Sequence, residues 1–310
     1  MCLRSAGTAA AGSLEWPPTA TPGPAVTEPF VLMQHLLPKR TLTALAGRLA
    51  SARAGAWTHA AIRRFVARYG VDMAEAADPR IESYATFNEF FTRALKPDAR
   101  PIADATWICP VDGAISQFGR VERDRIFQAK GHDYTTAALL GGDAALAARF
   151  EEGWFATLYL SPRDYHRIHM PCEGRLRRMV HVPGSLYSVN PATARGIPGL
   201  FARNERVVCL FDTAHGPFAL VLVGATIVGS MATVWHGVVN PPRPGTVRAW
   251  DYDAPPIVLA QGAEMGRFML GSTVVMLWPA LPLRFEPSWS PGRAIRLGES
   301  MAEADAPRGA

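Results

Sequence analysis

Residues 268–279, FMLGSTVVMLWP, form an almost wholly apolar and β-branched stretch that is interrupted by Gly271 and Ser272. Such a composition is typical of a buried strand. Glycine weakens the interior of a strand, and a buried hydroxyl needs a hydrogen-bond partner. The pair is therefore either a glycine bulge with a hydrogen-bonded serine or a place where chemistry requires these two residues.

Short β-like runs fill the chain on the N-terminal side of this stretch, from about residue 105 onward. They are Trp107–Val111, Ala114–Phe118, Trp154–Leu160, Leu176–Val182, Val207–Phe211, Phe218–Val223 and Thr226–Trp235. No long helical pattern separates them. Residues 218–235 carry no charge over 18 positions, but their glycines and valines favour two strands joined at Gly224-Ala225 over a membrane helix.

Residues 29–71 differ from this body, because they carry seven basic residues and no acidic residue. Interleaved apolar residues predict two or three amphipathic helices, broken at Pro38 and Gly55. The segment TFNE at 86–89 forms a capping box and predicts a further helix over Asn88–Leu95. The sequence thus predicts an α+β fold, with N-terminal amphipathic helices followed by a β-rich, sandwich- or barrel-like catalytic domain.

The composition limits the cofactors and partners of the 310-residue chain. A net charge of +5 favours anionic partners without identifying them. Four widely spaced cysteines form no CxxC pair, so neither a disulfide framework nor a zinc site is expected. Three lysines, Lys39, Lys96 and Lys130, give thin support for a pyridoxal-phosphate enzyme, which needs a Schiff-base lysine.

Two other segments carry side chains that are suited to catalysis. In CPVDGAISQFG, at 109–119, Asp112-Gly113 favours a hairpin turn, with a functional aspartate as the alternative. In SPRDYHRIHMP, at 161–171, His166 and His169 are either hydrogen-bonded core residues or catalytic groups. A metal site would need a third ligand, for which Asp164 and Cys172 are loose candidates.

Ser272 allows two kinds of chemistry. It could be a hydrolase nucleophile, with a histidine as base and Asp112 orienting it, but the Gly-x-Ser-x-Gly elbow of such enzymes is absent. Alternatively, its hydroxyl attacks the carbonyl of Gly271 and converts the peptide into an ester. Loss of the serine Cα proton then expels the Gly271 carboxylate, and hydrolysis of the resulting dehydroalanine releases ammonia and leaves a pyruvoyl group.

Five segments occur together in one order along the chain. They are VDGAISQFG at 111–119, YHRIHMP at 165–171, LFARNERVVCLFD at 200–212, VLVGATIVGS at 221–230 and LGST at 270–273. Together they resemble the phosphatidylserine decarboxylase family of the bacterial, proteobacterial type. The resemblance covers roughly residues 30–280; each motif alone is weak, whereas five in this order are specific.

The resemblance implies a proenzyme that cuts itself between Gly271 and Ser272. The large chain, 1–271, would stay with the small chain, 272–310. Ser272 would become the covalent pyruvoyl cofactor and the Schiff-base site of the mature enzyme.

The resemblance also implies roles for three other residues. Asp112, His169 and Ser272 match the family's self-cleavage triad, with His169 as the base for the serine hydroxyl and Asp112 orienting it and stabilising its charged form. His166 matches the family's other histidine and is assigned to the decarboxylation step. No metal is expected.

The implied reaction converts phosphatidylserine into phosphatidylethanolamine and CO2. The pyruvoyl ketone would condense with the serine amine and accept the electrons that remain when CO2 departs. Because the substrate lies in a bilayer, residues 29–71 are interpreted as a peripheral anchor on anionic membrane rather than a solvated basic face. The resemblance further implies the cytoplasmic side of the inner membrane, a homodimer and no nucleic-acid partner.

These interpretations divide the chain into four parts: a disordered leader at 1–27, a helical membrane-associating region at 28–100, a β-rich catalytic domain at 101–285 and a flexible tail at 286–310. Two alternative functions remain at this point. One is a Ser-His-Asp lipid-ester hydrolase, in which Ser272 stays a serine. The other is a non-enzymatic basic module that binds membrane or nucleic acid and does not need Ser272.

Overall fold

The computed structural model describes residues 38–226, 230–241, 243, 245–270 and 273–304. The leader predicted for 1–27 lies outside these residues, and so does the predicted cleavage pair, Gly271-Ser272. Leu270 and Thr273, which flank the pair, are both described, so the fold is known on either side of it.

The described part of the chain begins with two helices, as the sequence predicts. Helix α1 spans Lys39–Ala50 and helix α2 spans Ala56–Tyr69. Pro38 and Gly55 stand immediately before them, at the two positions where a break is predicted. Among the described residues, no helix combines the length and the apolar character that crossing a bilayer requires.

The third helix, α3, spans Phe87–Phe91 and is shorter than predicted. Thr86 caps it, because its hydroxyl accepts a hydrogen bond from the backbone N–H of Glu89 at 3.1 Å. The predicted extension past Phe91 is wrong, since the chain there pairs with another segment. The carbonyl of Ala94 accepts a hydrogen bond from the N–H of Ala77 at 2.9 Å.

The other described helices are short; the first is a 3-10 turn before α3, and the rest join strands of the body. They are a 3-10 turn at Ile81–Ser83, α4 (Thr136–Leu139), α5 (Ala144–Ala148), α6 (Pro191–Gly196) and α7 (Leu200–Arg203). The strands are β1 (Trp107–Ile108), β2 (Gly113–Arg120), β3 (Arg125–Ala129), β4 (His132–Thr135), β5 (Trp154–Tyr159), β6 (Arg167–His169), β7 (Gly174–Val182), β8 (Arg206–Thr213), β9 (Gly216–Val223), β10 (Met231–Thr233), β11 (Gly237–Val238), β12 (Arg248–Asp251), β13 (Ile257–Leu259), β14 (Glu264–Phe268), β15 (Thr273–Trp278), β16 (Leu283–Phe285), β17 (Ala294–Ile295) and β18 (Ser300–Ala304).

The largest sheet of the described chain has nine strands in the order β12-β7-β8-β9-β15-β5-β2-β17, with β13 also paired to β7. Strand β15 lies between β9 and β5, and all six of its residues are buried. Because both of its faces are covered, its sequence is continuously apolar rather than alternating. The α+β prediction is confirmed; the described strands leave the sheet open, so a closed barrel does not form.

A second sheet has the order β11-β10-β14-β6. Strand β14 ends at Phe268 in this sheet, and β15 begins at Thr273 in the large sheet. The chain therefore passes from one sheet to the other within residues 269–272. The single strand predicted over 268–279 is wrong for this part: before Gly271 the apolar residues are the buried end of β14, Phe268, and two partly buried residues of the connection, Met269 and Leu270.

The C-terminal part of the chain is more ordered than predicted. Strand β18 pairs with β1 and with β16, and β17 pairs with β2. The flexible tail expected over 286–310 is therefore wrong for residues 286–304, and residues 305–310 lie outside the described chain. These strands are short and carry polar residues, so their sequence shows little β character.

Candidate active site

The predicted site residues lie around one connection between the two sheets, residues 269–273, which we term the junction. At the end of the large sheet, Tyr159 of β5 pairs with both Thr273 of β15 and Ala114 of β2. The first residue of β15, the exit of β5 and the Asp-Gly motif that opens β2 are thus neighbours. The segment 165–171 follows directly from β5 and reaches the same place.

Backbone hydrogen bonds bring the other motifs to the junction. The N–H of Phe268 donates to the carbonyl of His166 at 3.0 Å, and the N–H of Met269 donates to the carbonyl of Ser230 at 3.0 Å. Val223, the last residue of β9, pairs with Thr273 of β15 on one side and with Arg206 of β8 on the other. All five motifs, spread from 111 to 273, therefore meet at this one place.

Leu270 is the last described residue before the predicted cut. Its φ is 144°, a conformation that residues with a Cβ rarely adopt. Strained backbone of this kind occurs at functional sites, where surrounding structure holds it. The Leu270 side chain packs against a second hydrophobic cluster, built by the helical region from Ile62, Val71, Tyr84, Phe90 and Phe91. The helical region therefore adjoins the junction directly.

His169 ends β6 and is arranged to act as a base. Its Nδ1 lies 2.7 Å from the carbonyl oxygen of Gly262, which only accepts hydrogen bonds, so Nδ1 carries the proton. Its Nε2 lies 3.2 Å from the hydroxyl of Tyr165, which donates to it. Burial lowers the pKa of His169, and the negative charges of Glu264 and Asp112 oppose this effect. The neutral form, with a basic Nε2, therefore prevails at neutral pH.

His166 is fully buried beside the junction. Its Nδ1 donates to the carbonyl of Asp164 at 2.7 Å, and its ring lies 4.1 Å, between centroids, from the ring of Phe91. Its Nε2 has no hydrogen-bond partner among the described residues. Burial lowers the pKa of His166 to about 3. A buried nitrogen with a free lone pair next to the predicted cofactor is available to exchange a proton with a ligand.

Asp112 lies at the junction but is not hydrogen-bonded to His169 in the described structure. Arg100 donates to its two oxygens, from Nε at 2.9 Å and from Nη2 at 2.6 Å, and the N–H of Leu297 donates to it at 2.9 Å. Arg100 also binds Glu75 at 2.6 Å. The carbonyl of Gly262, rather than Asp112, therefore orients the His169 ring here.

The hairpin interpretation of Asp112-Gly113 is wrong. Strand β1 pairs with β18, whereas β2 pairs with β5 and β17, so the motif connects two sheets. A Cβ on Gly113 would lie 2.3 Å from the carbonyl oxygen of Tyr159. Glycine is required because β2 approaches β5 too closely for any side chain, and this contact holds Asp112 at the junction.

Sequence reasoning missed three partners of these residues. Tyr165 is within a motif, but on extended backbone no spacing rule indicates that it contacts His169. Gly262 contributes a backbone carbonyl, which every residue has. Arg100 lies outside the motifs, and its pairing with Asp112 follows only from the fold. The place of Tyr165 in the motif YHRIHMP could have indicated it, whereas nothing in the sequence marks Gly262 or Arg100 as partners of the site.

Comparison with known proteins agrees with the geometry. A family model described as phosphatidylserine decarboxylase matches residues 87–303, and one described as PSD matches residues 29–70. The chain is 72% identical over 272 residues to the phosphatidylserine decarboxylase proenzyme of Acidovorax ebreus (strain TPSY), covering 88% of this chain and 96% of that protein. It is 71% identical over 273 residues to the proenzyme of the same name from Azoarcus sp. (strain BH72), covering 88% and 95% of the two chains.

Proposed function

This chain belongs to the phosphatidylserine decarboxylase family, and we propose that it decarboxylates phosphatidylserine with a pyruvoyl group made from its own Ser272. The products are phosphatidylethanolamine and CO2. The lipid-ester hydrolase is not supported, because the relatives compared above are named as decarboxylase proenzymes. The observation that carries the proposal is the convergence of five distant motifs on the junction that contains Gly271 and Ser272.

The residue types at the junction fit a self-made pyruvoyl group. The Ser272 hydroxyl attacks the Gly271 carbonyl, the peptide C–N bond breaks, and an ester and a free amine form. Removal of the Ser272 Cα proton breaks the Cβ–O bond and frees the Gly271 carboxylate. Water then replaces nitrogen, which leaves as ammonia. The unusual φ of Leu270 supports chemistry at this position, and so does the Nε2 of His166, which has no hydrogen-bond partner in the described part of the chain.

His169 is the proposed base for the Ser272 hydroxyl. Its tautomer supports this role, since Gly262 holds the proton on Nδ1 and leaves the Nε2 lone pair for proton transfer. Asp112 contributes through its negative charge, which favours the protonated form of His169. Arg100 is a positioning residue that holds the Asp112 carboxylate in place.

His166 is the proposed proton-transfer group of the decarboxylation step. When formed, the pyruvoyl group supplies a carbonyl that takes up the electrons released with CO2. The neutral, buried His166 excludes water together with Phe91 and presents Nε2 as the proton-exchanging atom. At rest Nε2 carries no proton, so it would first take one from the ammonium group of the substrate; because the pKa of His166 is low, it would then pass that proton readily to the carbon that has just lost CO2.

The two chains produced by the cut would stay together. The proposed small chain, 272–310, contains β15, β16, β17 and β18. Strand β15 is hydrogen-bonded on both sides, to β5 and β9 of the large chain. Removing it would expose the centre of the core, so the cut changes the covalent chain without separating the two parts.

We also assign the helical region, as far as residue 100, to docking on a membrane. Leu42, Leu45 and Leu49 follow one face of α1 and are exposed, the last two at 54% and 67%. Trp57, at the start of α2, is 83% exposed. Exposed arginines accompany them: Arg48, Arg53, Arg64 and Arg68. Apolar side chains beside arginines suit the surface of an anionic bilayer, here the cytoplasmic side of the inner membrane.

Replacing Leu45, Leu49 and Trp57 together by serine should weaken binding to anionic vesicles about 100-fold or more. Burying one such side chain in the bilayer contributes ~1.5–3 kcal/mol, and the arginines alone retain a weak, salt-sensitive attraction. Vesicle co-sedimentation at low and high salt measures the loss. Val258→Ser, which removes an exposed valine from β13, is the matched control and should bind normally. Undiminished binding by the triple variant would reject the anchor.

The direct test of the function is the intact mass of purified protein under denaturing conditions, paired with CO2 release from phosphatidylserine. Two chains split between Gly271 and Ser272 are expected, with the small chain lighter by one ammonia than a chain starting with serine. An active preparation holding one uncut chain would contradict the proposal. Light scattering on the same native sample tests the proposed homodimer, for which exposed Val234, Val238 and Val247 offer apolar surface.

A further inference from the structure

Arg93 is a buried cation with few partners. It is 6% exposed, and its one hydrogen bond within the described structure is a long one, from Nη1 to the carbonyl of Phe90 at 3.5 Å. Its Nε has no partner there. A buried charge normally has a counter-ion or a complete set of hydrogen bonds, because its removal from water otherwise destabilises the folded protein.

Arg206 shows what a structural buried arginine looks like in the same protein. It is 3% exposed, and every nitrogen of its guanidinium donates to a backbone carbonyl. The acceptors belong to residues at the ends of α4 and α7. Arg93 has only the long bond to Phe90 near the end of α3, and its guanidinium carbon lies 5.2 Å from the centre of the Phe90 ring, so its donors are much less completely satisfied than those of Arg206.

Arg93 stands in the wall of the active site. It follows α3, whose Phe91 ring packs on His166, and the carbonyl of the preceding Thr92 accepts a hydrogen bond from Arg167 at 2.9 Å. Burial lowers the pKa of both Arg93 and His166, and the positive charge of Arg93 lowers the pKa of His166 further. Arg93 is thus the next residue after a backbone contact of Arg167 and lies two positions from the ring that packs on His166.

The carboxylates near Arg93 are already bound by other arginines. Asp112 is bridged by Arg100, and Glu75 is bound by Arg100 at 2.6 Å and Arg296 at 3.2 Å. The unfilled hydrogen-bonding capacity of Arg93 therefore points to an anion that arrives with the substrate. A guanidinium suits an oxyanion because two of its N–H groups can donate side by side.

The head group of phosphatidylserine offers two anions, a carboxylate and a phosphodiester. The carboxylate leaves as neutral CO2, so an ion pair with it would stabilise the bound substrate more than the transition state and slow the reaction. The phosphodiester keeps its charge throughout, so pairing with it strengthens binding without raising the barrier. We propose that Arg93 binds the phosphodiester of the head group, an inference that rests on the proposed function.

The test compares Arg93→Gln with the unaltered protein, both purified and shown by intact mass to be cut. A short-chain phosphatidylserine below its micelle concentration serves as substrate, so that membrane docking does not enter. The KM should rise about 10- to 100-fold, while kcat changes less than about threefold. Arg149→Gln, at an exposed arginine of the body, is the control and should leave both values unchanged.

Two soluble inhibitors identify the anion. Glycerophosphoethanolamine carries the phosphodiester without a carboxylate, and its inhibition should weaken by the same factor as KM in Arg93→Gln. Free L-serine carries the carboxylate without a phosphodiester, and its inhibition should not change. Selective loss of L-serine inhibition would assign Arg93 to the carboxylate, and unchanged inhibition by both would make it structural; either result overturns the proposal.

A second variant protects the test against misfolding. Arg93→Lys keeps the charge but loses the paired donors, and glycerophosphoethanolamine inhibition should weaken about three- to tenfold. If Arg93→Gln fails to cut itself, the weakened inhibition of Arg93→Lys by glycerophosphoethanolamine becomes the test. Unchanged inhibition of Arg93→Lys would then overturn the proposal. Unaltered protein without a pyruvoyl-bearing chain would instead contradict the proposed function, independently of Arg93.

Discussion

Replacing Ser272 with alanine should leave the 310-residue chain uncut and without decarboxylase activity. Alanine has no hydroxyl to attack the Gly271 carbonyl, so neither the ester nor the pyruvoyl group can form. The effect is a complete loss rather than a reduced rate, because the same atom starts the self-cleavage and gives rise to the cofactor. Intact mass and CO2 release from phosphatidylserine measure both consequences on one preparation.

The neighbouring hydroxyl supplies the control. Thr273 is buried at the start of β15, and its hydroxyl has no partner among the described residues. Thr273→Val keeps its shape and should still be cut and active. Ser272→Cys keeps a nucleophile at the correct position and should be cut slowly. An uncut but active Ser272→Ala protein would reject the pyruvoyl group, and a cut one would reject Ser272 as the attacking residue.

The sequence predicts the helical region and the large sheet well because their signals are local. Pro38 and Gly55 mark the starts of two helices, and the charge-free run 218–235 contains most of β9 and all of β10 as separate strands. The prediction of the site residues came from motifs rather than from geometry. The motifs meet at one end of the sheet, which is consistent with the predicted site. This meeting could not be foreseen without knowing how the strands pair.

The parts that could not be predicted depend on contacts between distant segments. Residues 268–270 are apolar, as in a strand, but Leu270 is instead partly buried and packs against the helical cluster. The stop of α3 at Phe91 and the ordering of β18 both follow from pairing with other parts of the chain. The Arg100–Asp112 ion pair and the Gly262 carbonyl beside His169 leave no trace in local sequence.

Replacing His169 with alanine should slow self-cleavage by about 10²- to 10⁴-fold, the usual contribution of a positioned base. Conversion of newly synthesised proenzyme into two chains, followed over time in cell-free translation, measures the rate. His236→Ala, at an exposed histidine beyond β10, is the matched control. Cleavage of His169→Ala at the normal rate would remove this residue from the triad.

The pH dependence separates His169 from other bases and tests how Asp112 acts. Because burial lowers the pKa of His169 below its usual 6.5, Nε2 stays unprotonated as the pH falls from 8 to 6.5, and the rate should be flat there. Below the lowered pKa of His169, the rate of self-cleavage should fall tenfold per pH unit. Asp112→Asn removes a negative charge that favours protonated His169, so the pKa of His169 should fall further and the rate should begin to drop at still lower pH. The maximal rate should also be lower, because the charge that stabilises His169 after it accepts the proton is lost. An unshifted profile in Asp112→Asn would mean that Asp112 acts by holding Arg100 rather than through its charge on His169.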